Sequence, residues 1–261
     1  MKWINKSIID LRAKPSTRSE RVSQALFGTE VDVSQSDEGE WCLIETPDRH
    51  RSFAETRHLS SSFQRKGREW KVRQAIVPVR DISTDQVLTQ FAFDTRFFAQ
   101  VDEDRLVFNL PAGEKGYVSR EVAITAKATM DVKQLVQLAR SSVGTPYLWG
   151  GVSPFGFDCS GFVQRLFHYC FNEWLPRDSG DQRQIGQPIT LEDLERGDLC
   201  FFPGHVALYT GEGCIVHANH HHNGVSIEQL LVPTTPYGKQ LLKGFEEARR
   251  IPFASSSGRT E

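Results

Sequence analysis

The sequence predicts an α+β chain: two small β-barrels, then a domain that starts helical and ends in strands. Three observations carry the prediction. Residues 1 to about 125 hold short apolar runs separated by turn signals. Within them, Gly28-Thr29-Glu30-Val31-Asp32-Val33 and Asp94-Thr95-Arg96-Phe97-Phe98-Ala99 share a pattern, as do Thr46-Pro47-Asp48 and Leu110-Pro111-Ala112. Beyond Thr129 the apolar residues take helical spacing, and from Leu199 they return to short β runs.

The first barrel rests on Ala25-Leu26-Phe27, Val31-Asp32-Val33 and Trp41-Cys42-Leu43-Ile44, with turns at Asp37-Glu38-Gly39 and Pro47-Asp48. The second rests on Ala75-Ile76-Val77, Phe91-Ala92-Phe93, Phe97-Phe98-Ala99 and Leu106-Val107-Phe108, closing at Pro111-Ala112-Gly113. The repeat divides this half into 1–63 and 64–126. Ser119 to Thr129 reads as a linker, and 127–253 as the C-terminal domain. There, Val132, Leu135, Val136 and Ala139 form one helical face, with Thr129 or Asp131 as cap and Gly144 as stop. A second helix starts near Cys159, with Phe162, Val163, Leu166, Phe167 and Cys170 as its apolar stripe. A loop through Arg177-Asp178-Ser179-Gly180 leads to the strand Leu199-Cys200-Phe201-Phe202. The serine-rich tail, 254–261, is expected to be disordered.

Composition excludes several classes. Charged residues make up 25% and the net charge is −2, so nothing points to nucleic acid as a partner. No apolar run approaches the ~18 residues that cross a bilayer, so no membrane partner is expected. Met1-Lys2-Trp3-Ile4-Asn5-Lys6 lacks the apolar core of a secretory signal, so the expected location is cytoplasmic; a trimmed periplasmic or secreted protein is the competing reading. The five cysteines, Cys42, Cys159, Cys170, Cys200 and Cys214, are odd in number and lack CxxC spacing, which argues against a disulfide framework and a structural zinc site. Four sit among apolar neighbours and read as small core residues.

Cys159 differs. Asp158, Ser160 and Gly161 surround it where a Gly-rich segment becomes a helix. Unpaired helix N–H groups and the helix dipole favour thiolate there. A base is available if Thr210-Gly211-Glu212-Gly213 turns a hairpin. Centred on Gly211, that hairpin sets His205 and His217 directly opposite each other on one face, Cβ atoms roughly 5 Å apart. One imidazole would take the thiol proton and the other would fix its tautomer. The backbone N–H of Cys159 and a second donor would stabilise the oxyanion, each worth ~3 kcal/mol.

Residues 130–253 resemble the catalytic domain of the NlpC/p-sixty cysteine peptidases. The likeness runs through Gly144-Thr145-Pro146-Tyr147-Leu148-Trp149-Gly150-Gly151, Phe157-Asp158-Cys159-Ser160-Gly161-Phe162-Val163 and Leu175-Pro176-Arg177-Asp178-Ser179-Gly180-Asp181-Gln182. It continues through Arg196-Gly197-Asp198-Leu199, His205-Val206-Ala207-Leu208-Tyr209 and His217-Ala218. The resemblance implies a papain-like NlpC-type fold with Cys159 as nucleophile, His205 as base and His217 as orienting residue. It also implies hydrolysis of peptidoglycan stem peptides. The N-terminal half resembles the bacterial Src-homology-three-like barrels of one branch, the γ-D-glutamyl-L-diamino acid endopeptidases of wall-peptide recycling, and Ser19-Glu20-Arg21-Val22-Ser23-Gln24 looks like the first barrel's signature. That branch cuts after D-Glu and requires a free N-terminal L-Ala. His50, in Asp48-Arg49-His50-Arg51-Ser52-Phe53, stands where relatives tend to carry tyrosine, which puts barrel-side recognition in question.

Asp158 has two readings: an N-cap, or the partner of the L-Ala ammonium, which the resemblance favours. Its charge opposes the helix dipole, so His205 protonation is expected to dominate thiol activation. Tyr147, Trp149, Ser160, Arg177, Asp178 and Ser179 match cleft positions of the family. Tyr147 and Trp149 would supply apolar walls and a hydroxyl, or simply pack the loop before the nucleophile. Arg177 and Asp178 would pair with each other or touch substrate. Glu20 would bind the substrate amine or remain a solvated turn residue. No metal is expected at His217-Ala218-Asn219-His220-His221-His222, where His220 to His222 read as an exposed loop. A monomer without cofactor is expected. Two other classes compete: a wall-binding protein with a non-hydrolytic domain, and a thiol acyltransferase on the same fold.

Overall fold

The computed structural model describes residues 1–36 and 39–252. Asp37 and Glu38 of the first expected turn and the expected disordered tail lie outside the described residues. The chain divides into two compact units, one of Met1–Ala128 and one from Thr129 onward.

Among the described residues, the first unit holds fourteen strands in two sheets. The earlier sheet comprises β1 (Lys2–Ile4), β2 (Ile8–Arg12), β3 (Arg21–Leu26), β4 (Glu30–Ser36), β5 (Trp41–Glu45), β6 (Arg51–Glu55) and β7 (Leu59–Ser60). The later one comprises β8 (Arg68–Val72), β9 (Ile76–Asp81), β10 (Val87–Ala92), β11 (Arg96–Asp102), β12 (Arg105–Asn109), β13 (Lys115–Ser119) and β14 (Ala123–Thr125). Their strand orders, β3-β2-β6-β5-β4-β1-β7 and β10-β9-β13-β12-β11-β8-β14, are the same order displaced along the chain. Alternation builds them: Ile9 and Leu11 of β2, and Cys42 and Ile44 of β5, point inward between half-buried neighbours.

The repeat seen in sequence is also a repeat of backbone bonding. Gly28 and Asp94 both take positive φ, 75° and 64°. Each donates its N–H to a strand carbonyl, Ile4 or Val72, and that same residue's N–H returns to the carbonyl of Thr29 or Thr95. The turns at Thr46 and Leu110 match too. Each donates its N–H four residues ahead, to His50 or Glu114, while the carbonyl accepts from Arg49 or Gly113. The segment expected to link the halves is structured instead. Residues Arg120–Val122 form a 3₁₀ turn, and β14 pairs with β8 through Ala123↔Val72 and Thr125↔Trp70. Ala123 and Ala126 are buried there, which the polar residues around them conceal in the sequence.

The second unit opens with α1 (Val132–Ser141), capped by Asp131, whose side chain accepts from Gln134 N–H while the Gln134 side chain accepts from Asp131 N–H. Leu135, Val136 and Ala139 face inward as expected. Next come β15 (Val152–Ser153), β16 (Gly156–Phe157), α2 (Cys159–Phe171) and α3 (Ser179–Gln182). Then follow β17 (Gln187–Ile189), β18 (Leu199–Phe202), β19 (His205–Gly211), β20 (Cys214–Asn219), β21 (Gly224–Gln229), α4 (Pro236–Lys243) and β22 (Glu247–Arg250). The sheet order is β17-β22-β18-β19-β20-β21. α2 was expected to bury one stripe, yet all its residues are buried, Gln164, Arg165 and His168 included. It packs on β15, β19 and β20. No helix among the described residues is long and apolar enough to cross a membrane.

Candidate active site

The site is built where the start of α2 meets the start of β19. Asp158 caps α2, accepting from Gly161 N–H at 2.7 Å, so Cys159 occupies the first helical position, where its N–H has no intrahelical acceptor. The approach is tight: a Cβ on Gly161 would lie 2.3 Å from the Gly151 carbonyl oxygen. The Cys159 thiol takes hydrogen bonds from the backbone N–H groups of Val206 and Ser160. Val206 follows His205, so the thiol lies against the strand that carries the base.

His205 Nε2 and His217 Nδ1 are 2.7 Å apart, with ring centroids at 5.0 Å. The expected register is nevertheless corrected. The hairpin pairs Leu208↔Val216 and Tyr209↔Ile215, so the two histidines are diagonal neighbours rather than directly opposite. The turn is Glu212-Gly213, not Gly211. Both residues take positive φ, 58° and 75°, as a two-residue hairpin turn of this hand demands, and the register shifts between Tyr209 and Gly211. The slip moves the pairing by two positions, so both rings stay on one face.

Electrostatics reverse the expectation of a resting thiolate. Burial, reinforced by the Asp158 charge, pushes the Cys159 thiol up to about 11, against the two N–H donors and Arg177. Burial pushes His205 down to about 4, with Asp158 acting the other way. Burial, then the His205 charge, hold His217 well below the ordinary value. The helix N-terminus therefore does not outweigh desolvation, and His205 protonation does not activate the thiol in advance. The resting pair is thiol and neutral imidazole. Attack by such a thiol would have to be accompanied by proton transfer, for which His205 is the candidate base. As pH falls, the unfolded chain protonates its histidines near 6.5 while the folded site resists until about 4. The contribution of these histidines to native stability is thus complete above pH 6.5 and declines as pH falls toward about 4, where His205 itself becomes protonated. The acid limb of kcat/KM is expected well below 6.5, and a pH profile breaking at the ordinary histidine value would contradict the buried neutral pair.

The neutral tautomers follow from the contact. For His205 Nδ1 to take the thiol proton, its Nε2 must donate to His217 Nδ1. The proton of His217 then sits on Nε2. That atom is buried and has no hydrogen-bond partner among the described residues, a cost of about 1–3 kcal/mol.

Beneath the thiol lies a buried ion pair. Arg177 reaches Asp158 through both terminal nitrogens, at 3.0 and 2.6 Å, and donates to Ser160 Oγ at 2.9 Å. Side-chain exposure is 2% for Arg177 and 9% for Asp158. Arg177 therefore pairs with Asp158, while the adjacent Asp178, which is exposed and starts α3 without a side-chain cap, also acts on it through its charge. Both Asp158 oxygens are occupied, because Gly150 N–H also donates to Oδ2 at 2.9 Å. Gln182, whose role the sequence reading missed, donates from its amide to the carbonyls of Ser160 and Pro176 and ties α3 to the first turn of α2.

Tyr147 borders the site: burial, then the charges of Cys159 and Asp158, push its hydroxyl up to about 12. Trp149 is 60% exposed. Ser179 is half-buried at the start of α3. Glu20 and His50 belong to the other compact unit, where Glu20 is exposed just before β3 and His50 lies just before β6. His220, His221 and His222 are exposed on the β20–β21 turn, yet their rings are engaged. His220 meets Tyr147 edge-on at 6.0 Å, and His221 stacks on Tyr237 at 4.0 Å. Tyr237, at the start of α4, was also missed; nothing in its local pattern marks it. No group of three or more His, Cys, Asp or Glu among the described residues is arranged to hold a metal.

Comparison with known proteins bears on the family of the chain. A profile described as the NlpC/P60 family matches residues 144–243, and one described as the bacterial SH3 domain matches residues 9–60. A γ-D-glutamyl-L-lysine dipeptidyl-peptidase of Bacillus subtilis is 30% identical over 92% of this chain and 85% of its own length. Dipeptidyl-peptidase 6 of Lysinibacillus sphaericus is 28% identical over 85% of this chain and 88% of its own. The crystal structure of an NlpC/P60 family protein from Bacillus cereus superposes with a TM-score of 0.81, covering 95% of this chain and 98% of that one at 21% identity, which bears on the fold. With so long a relative at that identity, and the family profile spanning the thiol and both imidazoles, the chain belongs to the NlpC/P60 family.

Proposed function

We propose that this chain is a cysteine peptidase of peptidoglycan stem peptides that cuts the γ-D-glutamyl–diamino acid bond behind a free N-terminal L-Ala, releasing L-Ala-γ-D-Glu in wall-peptide recycling. The observation that carries the reading is the 2.7 Å contact between His205 Nε2 and His217 Nδ1 beside a thiol at the start of α2. Cys159 attacks the γ-glutamyl carbonyl while its proton passes to His205. A C–S bond forms, and the C–N bond breaks as His205 returns that proton to the leaving amine. Water, deprotonated by the same imidazole, then hydrolyses the thioester. The unpaired N–H of Cys159 and the Tyr147 hydroxyl are the proposed oxyanion donors. The names of the relatives, γ-D-glutamyl-L-lysine dipeptidyl-peptidases, support this bond.

In this reading 1–63 and 64–126 are both bacterial Src-homology-three-like barrels and 127–253 is the peptidase. The shared strand order supports the second barrel, and the profile match supports the first. Asp158, Ser160, Ser179 and Arg177 line the substrate side, with Glu20 as a further amine contact. Because Arg177 already neutralises Asp158, amine recognition by Asp158 has to operate through the pair rather than through a bare carboxylate.

The test offers L-Ala-γ-D-Glu-L-Lys with a free and with an acetylated amine. The free form is expected to turn over roughly 10- to 100-fold faster, the range of one charge-assisted hydrogen bond. Equal rates on both would remove the free-amine requirement.

A further inference from the structure

We propose that Tyr237 is a positioning residue that holds the His217 ring, by stacking, in the tautomer and orientation that His205 needs. The inference rests on the reading of Cys159, His205 and His217 as the reacting groups. An orienting residue is ordinarily fixed by its own second hydrogen bond. Here His217 offers only Nδ1 to His205, and its buried Nε2 has no partner among the described residues. Ring orientation must therefore come from packing.

The packing partner is Tyr237. Its ring lies 6.0 Å from His217 at an interplanar angle of 18°. The same tyrosine also stacks on His221 at 4.0 Å and 7°, and makes an edge contact with His222 at 5.5 Å and 81°. A flat ring packed against three neighbouring rings cannot tilt without displacing them.

The clamp is itself anchored. Glu228, buried in β21, accepts from Thr235 Oγ1 at 3.0 Å and meets His222 Nε2 at 2.8 Å. Thr235 caps α4 by accepting from Gly238 N–H. One carboxylate thus pins both the histidine turn and the helix end that presents Tyr237. The exposed His221 and His222, which look like surface decoration in the sequence, pack on the same tyrosine that meets His217.

The test uses the full chain labelled with ¹⁵N-histidine. At neutral pH the wild-type His217 is expected to carry its proton on Nε2 alone. Tyr237→Leu should mix the two tautomers and lower kcat about tenfold with KM within about twofold, while Tyr237→Phe keeps both wild-type values. Inactivation of Cys159 by iodoacetamide should slow in parallel, a readout that needs no peptide substrate and so stands even if the proposed bond is wrong. Two results would overturn the proposal. One is Nδ1-protonated His217 in the wild type, which can be judged even if Tyr237→Leu does not fold. The other is a Tyr237→Phe defect as large as that of Tyr237→Leu, which would move the role to the hydroxyl.

Discussion

Cys159→Ala is expected to hydrolyse no stem peptide above background, a loss on the order of 10⁵- to 10⁶-fold in kcat, whereas Cys200→Ala retains wild-type turnover. The two thiols are both buried, so burial alone does not separate them. What separates them is partners. The Cys159 thiol takes two backbone N–H donors and lies beside His205, and its ionisation is held at about 11. Cys200 lies in β18 between the paired residues Ala207 and Ala248, fully buried, and its pKa is raised by burial and by Asp198 with no donor to oppose them. Removing its sulfur costs packing of about 1 kcal/mol and no chemistry. Activity surviving in Cys159→Ala would end the thiol mechanism.

Arg177→Met is expected to destabilise the protein by about 3–5 kcal/mol. The guanidinium is 2% exposed and makes two hydrogen bonds to a carboxylate that is itself buried. Burial lowers the Arg177 pKa, and the Asp158 charge and hydrogen bonds more than restore it, so the pair depends on both partners. Without Arg177, Asp158 keeps only the N–H donors of Gly150 and Gly161 and the Ser160 hydroxyl. Arg177→Lys keeps the charge but loses the fork, and should fall between the two. The double change Asp158→Asn with Arg177→Met should recover part of the loss in chemical denaturation, because no charge is then stranded. An unchanged midpoint in Arg177→Met would mean that water, not Arg177, solvates Asp158.

Local chemistry was legible in the sequence, and contacts between distant segments were not. Asp131 as a cap, the apolar face of α1 and Cys159 at a helix start all follow from residues a few positions apart, where the chain itself sets the geometry. The histidine pair was legible because strands repeat every two residues, so a wrong hairpin centre still left both rings on one face. The partner of Arg177 was not: Asp178 is adjacent in sequence, but Asp158 is adjacent in space. Segment 119–129 looked like a linker because its strand is only three residues long and set among polar ones, and only pairing with β8 makes it a strand. The state of the thiol was misread because the helix dipole is written in sequence position, whereas desolvation depends on everything that packs around it.

The duplicated sheets of the first unit are not interchangeable parts. Phe27 belongs to the chain that builds the earlier sheet, yet its ring stacks on Phe91 at 4.7 Å and joins the aromatic core of the later one with Phe97 and Phe108. Phe63, between the sheets, bridges Trp3 and Phe27. A Cβ on Gly28 would lie 2.4 Å from the Arg96 carbonyl oxygen, so the backbones also touch. The two sheets share a strand order, yet the later one borrows part of its interior from its neighbour. A cassette cut at the seam would carry an aromatic hole, and its donor would be left with a phenylalanine in water. The two sheets depend on each other, and substitutions at the seam call for matched changes on both sides of it.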